Sequence, residues 1–217
     1  MSQTNGPLHA VVAITSTTAL LELSKVPSIV RSVRSIQEFM RTVPLTVVGS
    51  QAHIDEAEVL LDRHNLFASF TVCDPDDPRA LAAAIETEIA QFQAILIHDA
   101  SRPLTRSEQF TKIMDTFNEG ADAVRPATVF TETLKIIGEN SVVLETLDRN
   151  SVKRIATPEI VRSSAIDRKG KDQGWFLPLK KNARIEHIEG APEALRINTK
   201  EDGLLMESFL HWRRTSG

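Results

Sequence analysis

Short apolar runs alternate with amphipathic segments along the first half of the chain. Residues 9–14 (HAVVAI) are short, β-branched and followed by Thr and Ser, which predicts a buried strand. Residues 26–42 carry Ile29, Val30, Val33, Ile36, Phe39 and Met40 at helical spacing. The alternation continues with a strand at 45–48, a helix at 54–64 and a strand at 70–73. Pro78, a residue favoured in a first helical turn, then opens an Ala-rich helix reaching residue 92. Residues 94–97 (AILI) are apolar at every position, as expected of a strand covered on both faces. A helix at 105–119, ended by Gly120, and a strand at 121–124 complete the series. This order predicts an α/β fold, Rossmann-like, with a mostly parallel sheet and helices on both faces.

The rhythm changes after Pro126. Residues 133–137 and 141–145 flank Gly138-Glu139-Asn140, a hairpin signature. We read it as an arm at about 127–157 that leaves the body of the domain; arms of this kind often join subunits, so a homodimer is expected. Thr157-Pro158 predicts the start of a short helix running to residue 166. Residues 184–188 read as a late strand, and 200–212 as a closing helix with Leu204, Leu205, Phe209 and Leu210 on one side. No internal repeat or linker divides the 217 residues, so one domain with an arm is expected.

Composition narrows the partners. A formal net charge of -4 favours neither nucleic acid nor an anionic membrane. The six His and single Cys show no zinc-type spacing. Cys73 cannot form an internal disulfide, which fits a reducing compartment, and it reads as a small buried apolar residue. No run approaches the ~18 apolar residues of a membrane span. Residues 1–9 lack the basic start and apolar stretch of a signal peptide. A cytoplasmic protein with no nucleic-acid or membrane partner is expected.

In an open parallel sheet, ligands bind beyond the carboxyl ends of the strands. His98-Asp99-Ala100-Ser101-Arg102-Pro103 leaves the 94–97 strand at that rim. Either Asp99 holds Mg²⁺, which in turn neutralises a nucleotide triphosphate, or it caps the following turn and pairs with Arg102. Residues 95–103 resemble the VHDAARP signature of the methylerythritol phosphate cytidylyltransferases and the related ribitol phosphate cytidylyltransferases. Later segments resemble further motifs in the family's order: Thr131-Glu132-Thr133-Leu134-Lys135, Leu147-Asp148-Arg149-Asn150, Ala156-Thr157-Pro158-Glu159, and residues 196–202 (RINTKED). The resemblance implies a Mg²⁺-assisted transfer of CMP from CTP to a sugar-alcohol phosphate, with release of pyrophosphate. By position, Asp99 matches the metal-coordinating residue, and Arg196 takes the place of a lysine that contacts phosphates. Thr133, Arg149 and Thr157 match residues that hold the acceptor's phosphate, partly across a dimer. A guanidinium fork at Arg149 suits that task.

The family pattern breaks on the nucleotide side. Its first loop is rich in glycine and carries Arg and Lys, letting backbone N–H groups approach the triphosphate. Here residues 15–27 read TSTTALLELSKVP, and no Gly lies between Pro7 and Gly49. The hydroxyls of Ser16 and Thr17, and Lys25 as the only cation in reach, are the remaining nucleotide-binding candidates. Where the family cradles the base with glycines, this chain has Asp74, Asp76 and Asp77, leaving Arg79 as the candidate contact. Near residues 168–180 only Asp172 matches, loosely. Two readings stand: an active nucleotidyltransferase using CTP or another nucleotide, and a catalytically lapsed relative that binds a phosphorylated ligand or a partner as a dimer. A dehydrogenase is disfavoured, because no Gly-x-Gly-x-x-Gly follows the first strand.

Overall fold

The structure is a computed structural model that describes residues 8–170 and 174–215; residues 1–7 and Asp172, on which two of the expectations fall, lie outside it. β1 (Leu8–Ala13) passes through a 3-10 turn at Thr17–Leu20 into a small hairpin, β2 (Glu22–Leu23) and β3 (Val26–Pro27), and then α1 (Ser28–Phe39). The alternation continues through β4 (Leu45–Gly49), α2 (Gln51–Arg63), β5 (Ser69–Val72), α3 (Pro78–Ala84) and α4 (Glu86–Gln91). Next come β6 (Ala94–Asp99), α5 (Ser107–Asn118) and β7 (Ala123–Val129). β8 (Leu134–Ile137) and β9 (Val143–Leu147) form the expected hairpin as a separate two-stranded sheet. β10 (Lys153–Ile155), β11 (Glu159–Arg162), β12 (Ile185–Glu189) and α6 (Lys200–Thr215) follow.

β5, β4, β1 and β6 pair in parallel, in that order. β11 runs antiparallel between β6 and β7, while β12 lies parallel to β7. The result is the mixed, mostly parallel α/β sheet that the alternation implied. Residues 10–13 of β1 and 94–97 of β6 are apolar at every position because both faces of these strands are covered. Ala10, Val12 and Leu96 pack into one core with α1, α2 and α5. Val11, Ala13, Ile95 and Ile97 pack into a second core with α3, α4, Phe176 and Leu177. A third, small core of Leu23, Leu104, Ile197 and Met206 joins the β2–β3 hairpin to α6.

Local signals misled in four places. The helix expected from Thr157 is instead β11, a central strand. Ile160 and Val161 are fully buried, paired with Leu96 and Ile95 on one side and Val124 and Ala123 on the other. Two ladders and complete burial of β-branched side chains outweigh a Thr-Pro start signal. The single helix expected over residues 78–92 breaks at Ile85, with φ -111° and ψ 30°. The strand expected at 121–124 extends to Val129, because β10 continues the pairing along its outer half. Finally, α6 buries Gly203 and Met206, whereas Leu204 and Leu205 are 64% and 67% exposed, so its packed face is rotated from the expected one.

A buried ion pair crosses the β7–β11 seam. Arg125 Nε lies 3.2 Å from Glu159 Oε1, and both side chains are buried. Burial pushes the Glu159 carboxyl above its usual range, with the Arg125 charge opposing. Removing one partner of such a pair strands the other charge. Arg125→Met is therefore expected to cost about 3–5 kcal/mol at neutral pH in urea unfolding. A raised carboxyl binds its proton more tightly in the folded state, so the loss shrinks as acidification protonates Glu159. The double variant Arg125→Met/Glu159→Gln should recover much of the deficit at neutral pH.

Candidate active site

β1 and β6 are neighbours whose chains leave in opposite directions across the sheet, β1 toward β4 and β6 toward β7. Such a switch point opens a crevice beyond the strand ends. Asp99, paired in register with Ala13, closes β6 at that point and is 1% exposed. Its Oδ1 accepts from the Ser101 N–H at 2.9 Å, and its Oδ2 accepts from Arg196 Nε at 2.8 Å. Arg102 Nε stands 3.9 Å from the same Oδ2, and the Asp99 N–H donates to Thr157 Oγ1 at 3.0 Å. In this geometry Asp99 both caps its own turn and pairs with arginine.

Arg196 reaches Asp99 from the segment before α6, a separation of 97 residues. Its Nη2 donates to Thr15 Oγ1 at 2.7 Å and its Nη1 to Asn198 Oδ1. The third core fixes this segment, since Ile197 is fully buried against Leu23, Leu104 and Met206. The Ile197 N–H donates to Ser101 O at 2.8 Å, and Thr18 Oγ1 donates to Ile197 O at 2.7 Å. Ser16 and Thr18 hydroxyls lie 2.6 Å apart, and both approach Ser101.

The two sides of the crevice differ in charge. On one, three arginines, Arg102, Arg154 and Arg196, outnumber one acid, Asp202, and with Thr128 and Asn198 line a cleft of ≈ 340 Å³. Arg102 is anchored by a bond from Nη1 to Ala194 O at 2.7 Å. Burial pushes its guanidinium down to about 10, against the pull of Asp99, so it stays charged at neutral pH. On the other side, Thr15, Ser50, His53, Cys73, Asp74 and Asp76 border a cavity of ≈ 560 Å³. Burial and the neighbouring Asp74 push the Asp76 carboxyl up, with Arg196 opposing. Burial, then Asp74, raises the Cys73 thiol to about 11, so it is protonated at neutral pH. Asp77 faces α3 as its N-cap, accepting from Arg79 N at 2.9 Å and Ala80 N at 3.3 Å.

Of the candidates from sequence, Asp99, Arg196 and Thr157 converge, and Ser16 lies beside them through Ser101. Thr17 is exposed on the first residue of its 3-10 turn, and Lys25 is exposed at positive φ in the β2–β3 turn. The neighbouring Ser24 N–H bonds to Glu207 of α6, which puts that turn on the α6 side. Arg79 is exposed near the start of α3. Thr133 and Arg149 are exposed on the arm, where Arg149 Nη1 donates to Thr131 O at 2.8 Å. Thr15, Asn198 and Arg154 were not singled out from sequence. Their roles come from long-range packing, which leaves no local pattern.

The fold and its crevice define a nucleotidyltransferase-type α/β protein. The chain belongs to the 2-C-methyl-D-erythritol 4-phosphate cytidylyltransferase family, whose model matches residues 12–211. A curated enzyme of that name from Streptomyces coelicolor is 24% identical over 212 residues, covering 90% of this chain and 78% of the enzyme. One from Streptomyces avermitilis is 26% identical over 214 residues, covering 90% and 85%. The crystal structure of 4-diphosphocytidyl-2C-methyl-D-erythritol synthase from Anaerococcus prevotii superposes with a TM-score of 0.75 at 17% identity, covering 95% of this chain and 99% of that one. The Thermus thermophilus cytidylyltransferase gives 0.67 at 15% identity, covering 93% and 98%. These two establish the likeness of fold. No helix among the described residues is long and apolar enough to cross a membrane.

Nucleotidyltransferases of this family typically use a divalent metal ion. The residues present do not fit one as they are arranged. Both Asp99 oxygens already accept hydrogen bonds, one from a guanidinium. Among the described residues, no group of three or more His, Cys, Asp or Glu could hold a metal ion.

Behind the site, His98 is fully buried, with its ring 5.7 Å from that of Phe110 and Nε2 3.2 Å from Arg102 O. Burial pushes it down to about 4, so it is neutral and Nε2 is assigned as the donor. A base with a depressed folded pKa stabilises the fold above its unfolded value, and that contribution fades as pH falls toward the folded one. Unfolding by urea should therefore show stability declining between about pH 6.5 and 4, by roughly 3 kcal/mol at most. His98→Gln should flatten that slope.

Proposed function

We propose that the chain binds a sugar-alcohol phosphate of the 2-C-methyl-D-erythritol 4-phosphate type in the arginine-lined cleft, as acceptor of CMP from CTP. The observation that carries this reading is the convergence of Arg102, Arg154 and Arg196 on one cleft beside Asp99. Three guanidiniums, of which only Arg102 is buried, offer charge-assisted donors to a phosphate dianion. In the transfer, an acceptor phosphate oxygen forms a bond to the α-phosphorus of CTP while the bond to the departing pyrophosphate breaks. The chain's contribution is positioning and fixed positive charge: the guanidiniums orient the acceptor oxygens and offset charge as it builds. Thr157 fixes the backbone at Asp99, so the carboxylate that orients Arg196 stays in place.

The arm enters through a second copy. The hairpin exposes Ile137, Val142, Val143 and Leu144, apolar surface that a homodimer would cover. A partner's Thr133 and Arg149 are then candidates to complete the acceptor site across the interface. We read the chain as one nucleotidyltransferase-like domain with an arm at about 127–157, acting in the cytoplasm.

A specific observation favours a second reading, a lapsed relative that holds the phosphorylated ligand without turnover. The cavity on the nucleotide side is bordered by Asp74 and Asp76, and the loop after β1 has no glycine. Carboxylates near a triphosphate are unfavourable. One experiment separates the two. Pyrophosphate release is followed with CTP and 2-C-methyl-D-erythritol 4-phosphate, and acceptor binding is measured by calorimetry. The first reading expects release, with the acceptor KM of Arg154→Gln raised by about tenfold or more at little cost in kcat. Acceptor binding without release supports the second, and absence of both overturns the cleft as an acceptor site.

A further inference from the structure

The family typically works with a divalent metal, yet in this chain a guanidinium occupies the Asp99 carboxylate at the strand end. We infer that Arg196 replaces the metal at Asp99, so that phosphorylated ligands bind this crevice directly on arginine, without a divalent cation. The inference rests on the proposal that the crevice takes phosphate esters, but its test does not need that proposal to hold.

Arg196 is not a passing neighbour of Asp99. Its Nε bonds Oδ2 at 2.8 Å, and its other two nitrogens bond Thr15 Oγ1 and Asn198 Oδ1. The next residue, Ile197, is fully buried and bonded through its backbone to Ser101 and Thr18. A metal arriving at Oδ2 must displace this side chain while its backbone is clamped. It also meets Arg102, 3.9 Å from the same oxygen and anchored on Ala194. A dication between two guanidiniums is repelled by both, and arginine cannot shed its proton to relieve the clash. Oδ1 is already half engaged, accepting from the Ser101 N–H at 2.9 Å.

The remaining acids are engaged elsewhere. Asp74 and Asp76 are exposed, with Asp74 Oδ1 accepting from the Asp76 N–H at 3.0 Å, and Asp202 Oδ2 accepts from the Asn198 and Thr199 N–H groups. Mg²⁺ gives up water reluctantly and is held by one or two carboxylates together with phosphate oxygens. Here the first carboxylate is neutralised by an internal cation. That cation also carries what a bound phosphate needs. Nη1 and Nη2 now bond neutral side-chain oxygens, and turning them to phosphate oxygens exchanges neutral acceptors for charged ones. The ligand class is thus a phosphate ester held by guanidinium alone.

Mn²⁺, titrated alone into the full chain and followed by the electron paramagnetic resonance of the free ion, tests this directly. Wild type is expected to bind none at millimolar Mn²⁺. Arg196→Gln, shown folded by circular dichroism, should acquire one site tighter than any in wild type by about tenfold or more. Adding Asp99→Asn to that variant should abolish the site. A single Mn²⁺ bound by wild type and lost in Asp99→Asn would overturn the inference, as would a folded Arg196→Gln that gains no site. Neither readout depends on CTP, an acceptor or turnover, so failure of the proposed activity stays distinguishable from failure here.

Discussion

A carboxylate that is 1% exposed at the end of a central strand cannot remain charged without partners, and this constraint organises the site. Asp99 meets it with the Ser101 N–H, with Arg102 and above all with Arg196. Satisfying Asp99 draws the segment before α6 across the crevice. Ile197 then drops into a core with Leu23, Leu104 and Met206, which ties α6 to the β2–β3 hairpin. The loop after β1 is held by the same segment, through Thr15 on Arg196 and Thr18 on Ile197. One buried acid thus couples the first loop, the end of β6 and the approach to α6.

That coupling explains the uneven character of the crevice. Its acceptor side gains positive charge from Arg102, Arg154 and Arg196, whereas its nucleotide side is lined by Asp74 and Asp76. In the family pattern the first loop brings glycines and cations toward the triphosphate. Here hydroxyl residues fill that loop and bond one another, Ser101 and the Arg196 segment. The cation hydrogen-bonded to Asp99, Arg196, therefore enters from the C-terminal end of the chain, beside Arg102 from the turn after β6. Arginine reaches Asp99, Thr15 and Asn198 with three separate nitrogens, whereas lysine's donors all sit on one.

The sheet was legible because its central strands are covered on both faces, so residues 10–13 of β1 and 94–97 of β6 form apolar runs. The hairpin was legible from Gly138-Glu139-Asn140 between two β-branched runs. β11 was not, because Thr-Pro is a local helix-start signal and burial between β6 and β7 is a tertiary fact. The packed face of α6 was misread for a related reason. It follows Gly203 and Met206, and a count of large apolar residues passes a glycine over. At the site, the motif around Asp99 could be read directly, and residues 196–202 could be matched in order. That Arg196 bonds Asp99 and Thr15 spans 97 and 181 residues and has no sequence signature. Lys25 sits in the exposed β2–β3 turn, whose neighbouring Ser24 N–H bonds Glu207 of α6.

The central claim is that Arg196 is bonded to Asp99 in solution, and NMR of protein labelled with ¹⁵N-arginine observes that bond directly. The account predicts an Arg196 Nε–H resonance protected from solvent exchange, unchanged by added Mg²⁺ and lost to rapid exchange in Asp99→Asn. A freely exchanging Arg196 Nε–H in wild type, indifferent to the Asp99 substitution, would contradict it.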